Sequence, residues 1–297
     1  MTETPQPAVI DSIANEHLTV EVSRLGAELH SIKSADGREW LWNGDPAWWN
    51  GRAPILFPIV GRAPDNTITI DGEAFPMAQH GFARKRIFTR ADDAADQVAH
   101  TLAADAESRA IYPFDFLLTL EHRLNGKALV ITATVTNTDS RPILYGFGFH
   151  PAFSWPLPGG EGRPHVVTLG NGASPPLVGL EGGLIGPASL PTPFVDGRLA
   201  LHHDLFLNDA LIMPEGAGDS MTFAAENGPA LAFRFENLPA LALWQKPGAP
   251  YLCVEPWHGM AALAGAGSEL AARPFNVTLP PGESARYAMT VDFSAAL

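Results

Sequence analysis

Cysteine, helical patterning, long apolar runs and positive charge are all scarce in this sequence. Cys253 is the single cysteine, so no internal disulfide is possible, and a reducing, cytoplasmic setting is expected. No run of about 18 or more apolar residues occurs, which argues against a helical membrane span. The opening stretch, Met1 to Asp11, is polar and acidic and lacks the basic end and apolar core of a secretory signal. Residues 1–14 therefore read as a flexible N-terminal tail and residues 15–297 as one domain. A net charge of −13 lacks the cationic footprint that nucleic acid or an anionic membrane requires, so neither is expected as a partner. Only a local basic cluster is left to hold an anionic substrate. Helix-spaced apolar residues are nearly missing. Ala261 to Ala272 is the best candidate, and its two glycines limit it to a short helix. Neither a phosphate-binding glycine loop nor a nucleophile elbow is present. Metal-ligand spacing is missing too: His202 and His203 are adjacent, so on a strand they point to opposite faces. Cys253, inside an apolar strand, reads as packing.

Short β-prone runs separated by turns make up the rest. Leu18 to Val22 alternates, Ala27 to Ile32 follows, and Asp36-Gly37 turns into Glu39-Trp40-Leu41-Trp42. Thr67 to Ile70 runs into Asp71-Gly72. Phe116 to Arg123 meets Asn125-Gly126, with Ala128 to Val135 answering. Met221 to Ala225 meets Asn227-Gly228, with Leu231 to Phe235 returning. Arg286 to Phe293 is the last strand. Each Asp-Gly or Asn-Gly pair is expected to supply the positive φ angles of a tight hairpin. This pattern means an all-β antiparallel sandwich or barrel with few short helices. The Pro- and Gly-rich stretch 156–197 reads as a surface excursion of the same domain.

Four stretches carry chemistry. In Tyr251-Leu252-Cys253-Val254-Glu255-Pro256-Trp257-His258, an apolar strand is expected to stop at Glu255, because Pro256 cannot donate to a ladder. A carboxylate beside an indole is costly to bury and needs a partner or a task. Trp257 offers a flat face for the C–H side of a sugar ring. The same device recurs at Gly146-Phe147-Gly148-Phe149-His150-Pro151: an apolar strand, an ionisable residue, a proline. Its alternating small and aromatic residues suggest close backbone approach, with Phe149 as a second stacking wall. Arg62, after the apolar run Ile55 to Phe57, and His80, before Gly81, are candidates for contacting a ligand. Arg84, Lys85 and Arg86 form the one basic cluster. Read as a strand, it puts Arg84 and Arg86 on one face and Lys85 on the other.

Taken in order, these stretches resemble the aldose 1-epimerase (galactose mutarotase-like) superfamily, in the bacterial branch near the hexose-6-phosphate epimerases. The resemblance is carried by Ser23 to Leu29, Phe57 to Arg62, His80 to Arg84, Gly148 to Phe153, Asp204-Leu205-Phe206 and Cys253 to Gly259. It spans the chain from about residue 15 to its end. It implies a large antiparallel β-sandwich with a sugar site on its concave face and cofactor-independent chemistry, without a metal. It also implies roles: Glu255 as general base at the anomeric hydroxyl, His150 as general acid at the ring oxygen, and His80 and Arg62 as positioning residues, with His80 sharing proton duty. Asp204 matches a hydroxyl-binding aspartate; apart from the resemblance, Arg62, Arg84, Lys85 and Arg86 are candidates for an anion site that holds a sugar phosphate. The expected activity is interconversion of hexose anomers. A hexose 6-phosphate epimerase and a non-catalytic sugar sensor are the alternatives, and the expected assembly is a monomer or homodimer.

Overall fold

The alternation seen in the sequence is realised as two large antiparallel sheets. A computed structural model describes residues 9–297. The nine-stranded sheet runs, edge to edge, Arg198–Ala200, His165–Leu169, Ser220–Ala225, Ala230–Glu236, Ser284–Asp292, Ala128–Asn137, Phe116–Asn125, Gln97–Ala103 and Thr89–Ala94. The second sheet, of eight strands, runs Leu184–Leu190, Leu177–Glu181, Leu211–Met213, Ala240–Trp244, Tyr251–His258, Phe147–Phe149 and Ile55–Leu56, with Ala152–Ser154 also pairing with Tyr251–His258. In Ala128–Asn137 every second residue is buried, as a strand with one face on a core demands. The sheets meet through aromatic side chains: Phe153 lies edge-on to Phe233 at 5.1 Å, and Phe147 stacks on Tyr287 at 4.9 Å. The architecture is the all-β antiparallel sandwich expected.

Several local expectations are corrected. Of the expected tail, Ile10–Ala14 is a strand paired with Leu18–Ser23 in a three-stranded sheet, and residues 1–8 lie outside the described residues. Glu39 to Trp42 makes isolated bridges, Lys33 with Glu39 and Leu41 with Phe153, rather than a strand. Stretch 156–197 is no mere excursion. His165–Leu169 joins the nine-stranded sheet, while Leu177–Glu181 and Leu184–Leu190 extend the eight-stranded one. Of the four turn pairs, only Asp71-Gly72 has both φ angles positive, at 53° and 82°. At Asn125-Gly126 the turn is displaced by one residue, because Asn125 still pairs with Ala128. Ala261 to Ala272 contains only the single 3-10 turn Leu270–Ala272.

Inside the sandwich, His122 is buried with its Nδ1 unpartnered, and His100 stands nearby. Burial pushes the His122 pKa down to about 3. The unfolded chain takes up this proton near the ordinary value of about 6.5, well before the folded one does. The His122 contribution is therefore intact above about pH 6.5 and is lost progressively as pH falls toward 3. At pH 5 the loss amounts to about 2 kcal/mol. His122→Leu is expected to shrink the difference between unfolding free energies at pH 7.5 and pH 5 by that amount. Denaturant titrations at both pH values check this, and an unchanged difference counts against it.

Candidate functional site

The strand Tyr251–His258 forms the floor of the site. Leu252 and Val254 face the main core, so Tyr251, Cys253, Glu255 and Trp257 leave the opposite face. The strand runs past Glu255 to His258, contrary to the stop expected at Pro256. The neighbouring strand explains this. Ala152–Ser154 pairs with Tyr251 to Cys253, and Phe147–Phe149 pairs with Trp257 and His258, leaving His150-Pro151 as a break between them. The Val254 N–H donates to the Pro151 carbonyl on that side. Residue 256 faces the same way by alternation, opposite Phe149, so the missing N–H of Pro256 costs one bond on that side and none of the unbroken ladder to Ala240–Trp244. On the other side, Ala240 and Ala242 pair with Trp257 and Glu255 and pack with Trp257 in a small apolar cluster.

His150 occupies that break. Its Nε2 lies 3.1 Å from Oε2 of Glu255. Trp49 packs against the imidazole at 5.2 Å and Trp244 stands edge-on at 6.0 Å. His80 stands perpendicular to it at 5.7 Å. The His80 backbone N–H donates to the Gly61 carbonyl at 2.9 Å, and the Gly61 N–H donates to His80 Nδ1 at 3.1 Å. An accepting Nδ1 places the His80 proton on Nε2, which lies 3.2 Å from the Gln79 side-chain amide.

Burial governs the charges. It raises the Glu255 carboxyl well above its usual range, with the nearby Asp209 charge adding to the shift. Burial also pushes His150 down to about 3, with Arg84 lowering it further. Although the contact has ion-pair geometry, both shifts favour uncharged groups, so the pair rests as a carboxyl and a neutral imidazole sharing one proton. His80 is held well below its usual value by burial first, then by His150, Arg84 and Arg273. Arg273 is itself 5 % exposed and donates to the carbonyls of Val60, Arg62 and Met260. It thus ties the two backbone segments that carry Gly61 and Ala261 into the wall.

A cavity of about 850 Å³ opens above this floor. Glu255, His150, His80, Arg84 and Trp257 line it. Gly148 shows why Trp257 fits: a Cβ there would sit 2.5 Å from the indole Cδ1, which is the close approach suggested by the Gly-aromatic alternation. Three expected contacts do not line the cavity. Phe149 neighbours His150 on the chain and so points the other way, into the core beside Phe147 at 5.0 Å. Arg62 is exposed at the rim, where it donates to the Gly182 carbonyl at 2.9 Å. Asp204 is exposed on the 3-10 turn His203–Phe206, and the cavity carboxylate from this region is Asp209. The basic run is no strand either: Ala83–Lys85 is a 3-10 turn, and Arg86 turns away to bond Glu107 at 2.9 Å. Arg84 alone of the three lines the cavity, with its Nε buried and unpartnered.

Trp49, Trp244, Lys246 and Asp209 line the cavity without having been picked out in the sequence. Trp48-Trp49, an aromatic pair between Asp45-Pro46 and Asn50-Gly51, offered a loop signal. Asp209 carries a positive φ of 82°, a backbone state invisible in the sequence.

The buried His150–Glu255 pair lines a cavity of an antiparallel β-sandwich, and comparison with known proteins says to which class such a fold and site belong. The sequence profile of the aldose 1-epimerase family matches residues 11–168. The chain belongs to the aldose 1-epimerase family. It is 32% identical over 275 residues to the plasmid-borne protein LacX of Lactococcus lactis subsp. lactis, covering 88% of this chain and 92% of that one. The chromosomal LacX of the same organism matches equally, at 32% over 275 residues. Among solved structures, a galactose mutarotase related enzyme from Lactobacillus acidophilus aligns with a TM-score of 0.90 at 28% identity, over 97% of this chain and 98% of that one. A galactose mutarotase-like protein from Lactobacillus casei aligns with a TM-score of 0.89 at 29% identity, over 96% and 99%.

Proposed function

We propose that the protein is an aldose 1-epimerase that interconverts the α and β anomers of a hexose. The observation carrying this reading is the 3.1 Å contact of His150 with Glu255 on the wall of an open cavity. Glu255 takes the proton of the anomeric hydroxyl as that oxygen becomes a carbonyl. The bond from C1 to the ring oxygen breaks, and His150 delivers a proton to the departing oxygen. The aldehyde turns about the C1–C2 bond, and closure on its other face reverses both transfers. Each burial shift strengthens its group's role: a carboxylate with raised proton affinity is a stronger base, and an imidazolium with lowered affinity a stronger acid. The charged arrangement forms when sugar hydroxyls bond the carboxylate. His80 donates from Nε2 to the sugar, and the faces of Trp257 and Trp49 take its C–H side.

Polarimetry of fresh α-D-glucose and α-D-galactose tests this reading: the protein should hasten equilibration. If no aldose is hastened while calorimetry registers sugar binding, the chain is a sugar-binding protein on the same fold.

Arg84 favours one second reading, a phosphorylated hexose, because its buried Nε lacks a partner among the described residues. Removing a charged donor from a phosphate costs about 1.5–3 kcal/mol, or roughly 10- to 100-fold. Arg84→Ala should therefore raise KM for glucose 6-phosphate by that factor and change KM for glucose far less. Equal changes for the two sugars would rule out the phosphate reading.

A further inference from the structure

A third donor stands beside the acid–base pair. Cys253 precedes Glu255 by two residues on the strand Tyr251–His258, so both side chains leave the same face. The ligand atoms of His150, Cys253 and Glu255 lie within 4.8 Å of one another, and all three residues are buried. Cys253 belongs to an aromatic cluster with Trp42 and Tyr251, against which Trp49 and Trp244 pack.

We propose that this group binds a thiophilic divalent cation such as Zn²⁺, through His150 Nε2, the Cys253 thiolate and a Glu255 oxygen, with a fourth position open to the cavity. One nitrogen, one sulfur and one oxygen ligand plus an open position is a donor set zinc accepts. Bonds of about 2.0–2.3 Å at tetrahedral angles separate donors by roughly 3.3–3.6 Å. The His150–Glu255 contact of 3.1 Å needs to widen by only a few tenths of an ångström, while the thiol closes in. No hydrogen bond resists that swing, because His150 Nδ1 is buried without a partner among the described residues. The same freedom weakens the site. A ligating imidazole normally donates its other N–H to an outer partner, and losing such a partner costs about 10- to 100-fold in affinity. Micromolar binding, rather than that of a structural zinc, is expected. Sulfur and imidazole donors select Zn²⁺, Cd²⁺ and Co²⁺ over Mg²⁺ and Ca²⁺. Binding releases the thiol proton and the one shared by the pair, leaving neither acid nor base free, so the cation blocks turnover. The binding claim stands on geometry, whereas the inhibition claim rests on the proposed epimerase reading.

The test titrates Co²⁺ into the intact protein, prepared without a polyhistidine tag. Because Cys253 is the only cysteine, a thiolate-to-cobalt absorption band identifies its ligand without any variant. One equivalent should produce the band, Zn²⁺ but not Mg²⁺ should abolish it, and Cys253→Ser should lack it. A wild-type protein without the band at millimolar Co²⁺, or a band persisting in Cys253→Ser, overturns the site. In polarimetry, micromolar Zn²⁺ should slow the wild type, and Cys253→Ser should resist Zn²⁺ at least tenfold better at an unchanged metal-free rate. A cobalt band in a protein that hastens no aldose would keep the cation site and discard the epimerase reading. Hastened mutarotation that Zn²⁺ leaves untouched would do the reverse for inhibition.

Discussion

Glu255→Gln is expected to slow anomer interconversion by about 10²–10⁴-fold, the usual contribution of one positioned acid or base. The fold should survive, because glutamine keeps the shape of a buried carboxyl that already rests uncharged. Thermal midpoints should agree within a few degrees, which separates lost chemistry from lost structure. His150→Asn should cost a similar factor. The double variant should be hardly slower than either single one, because the two groups act as a unit and their losses do not add. Single-turnover polarimetry on the three proteins gives the answer. A Glu255→Gln protein that folds and turns over at the wild-type rate would remove the role assigned to this carboxylate.

Gly81→Ala is expected to be the most damaging small substitution near the site. Gly81 has φ +72°, and a Cβ there would lie 2.1 Å from the Phe57 carbonyl oxygen and 2.4 Å from its carbon. That oxygen accepts the N–H groups of Phe82 and Ala83, at 3.0 and 3.2 Å, so it cannot withdraw without breaking both bonds. Backbone strain plus a steric clash with fixed atoms puts the loss above about 4 kcal/mol. Gly126→Ala is the control. It too has a positive φ, +57°, but nothing lies within 4 Å of the added carbon, so only the left-handed strain of about 1–2 kcal/mol remains. Denaturant unfolding of both variants measures the difference. Comparable losses for the two would show that the approach of Phe57 to Gly81 is not tight. Because His80 adjoins Gly81 and is bonded to Gly61, any Gly81→Ala protein that does fold should also lose activity.

The alternating runs were legible because alternation is local: successive side chains leave opposite faces, and one buried face repeats every second residue. Phe116–Asn125 and Ala128–Asn137 show it without help from the rest of the chain. Glu255 and His150 stood out for a similar reason, as ionisable groups next to prolines at interruptions in apolar runs. The errors share a cause as well. Phe149 was placed at the ligand beside His150, although neighbours on a strand face opposite ways. Pro256 reads as a strand end in the sequence, whereas the ladder that carries the strand past it, to Ala240–Trp244, comes from another part of the chain and does not need its N–H.

Residue order alone thus determined the all-β class, the approximate strands, and the residues in which ionisable chemistry sits, since each follows from short-range sterics and burial cost. Only the tertiary structure decided that imidazole and carboxylate meet at 3.1 Å, that Cys253 stands within reach of both, that Trp49, Trp244 and Asp209 line the cavity, and that Arg62 stays at its rim. Those contacts depend on which strands lie side by side, and that choice is made by burial summed over both sheets rather than by any one segment.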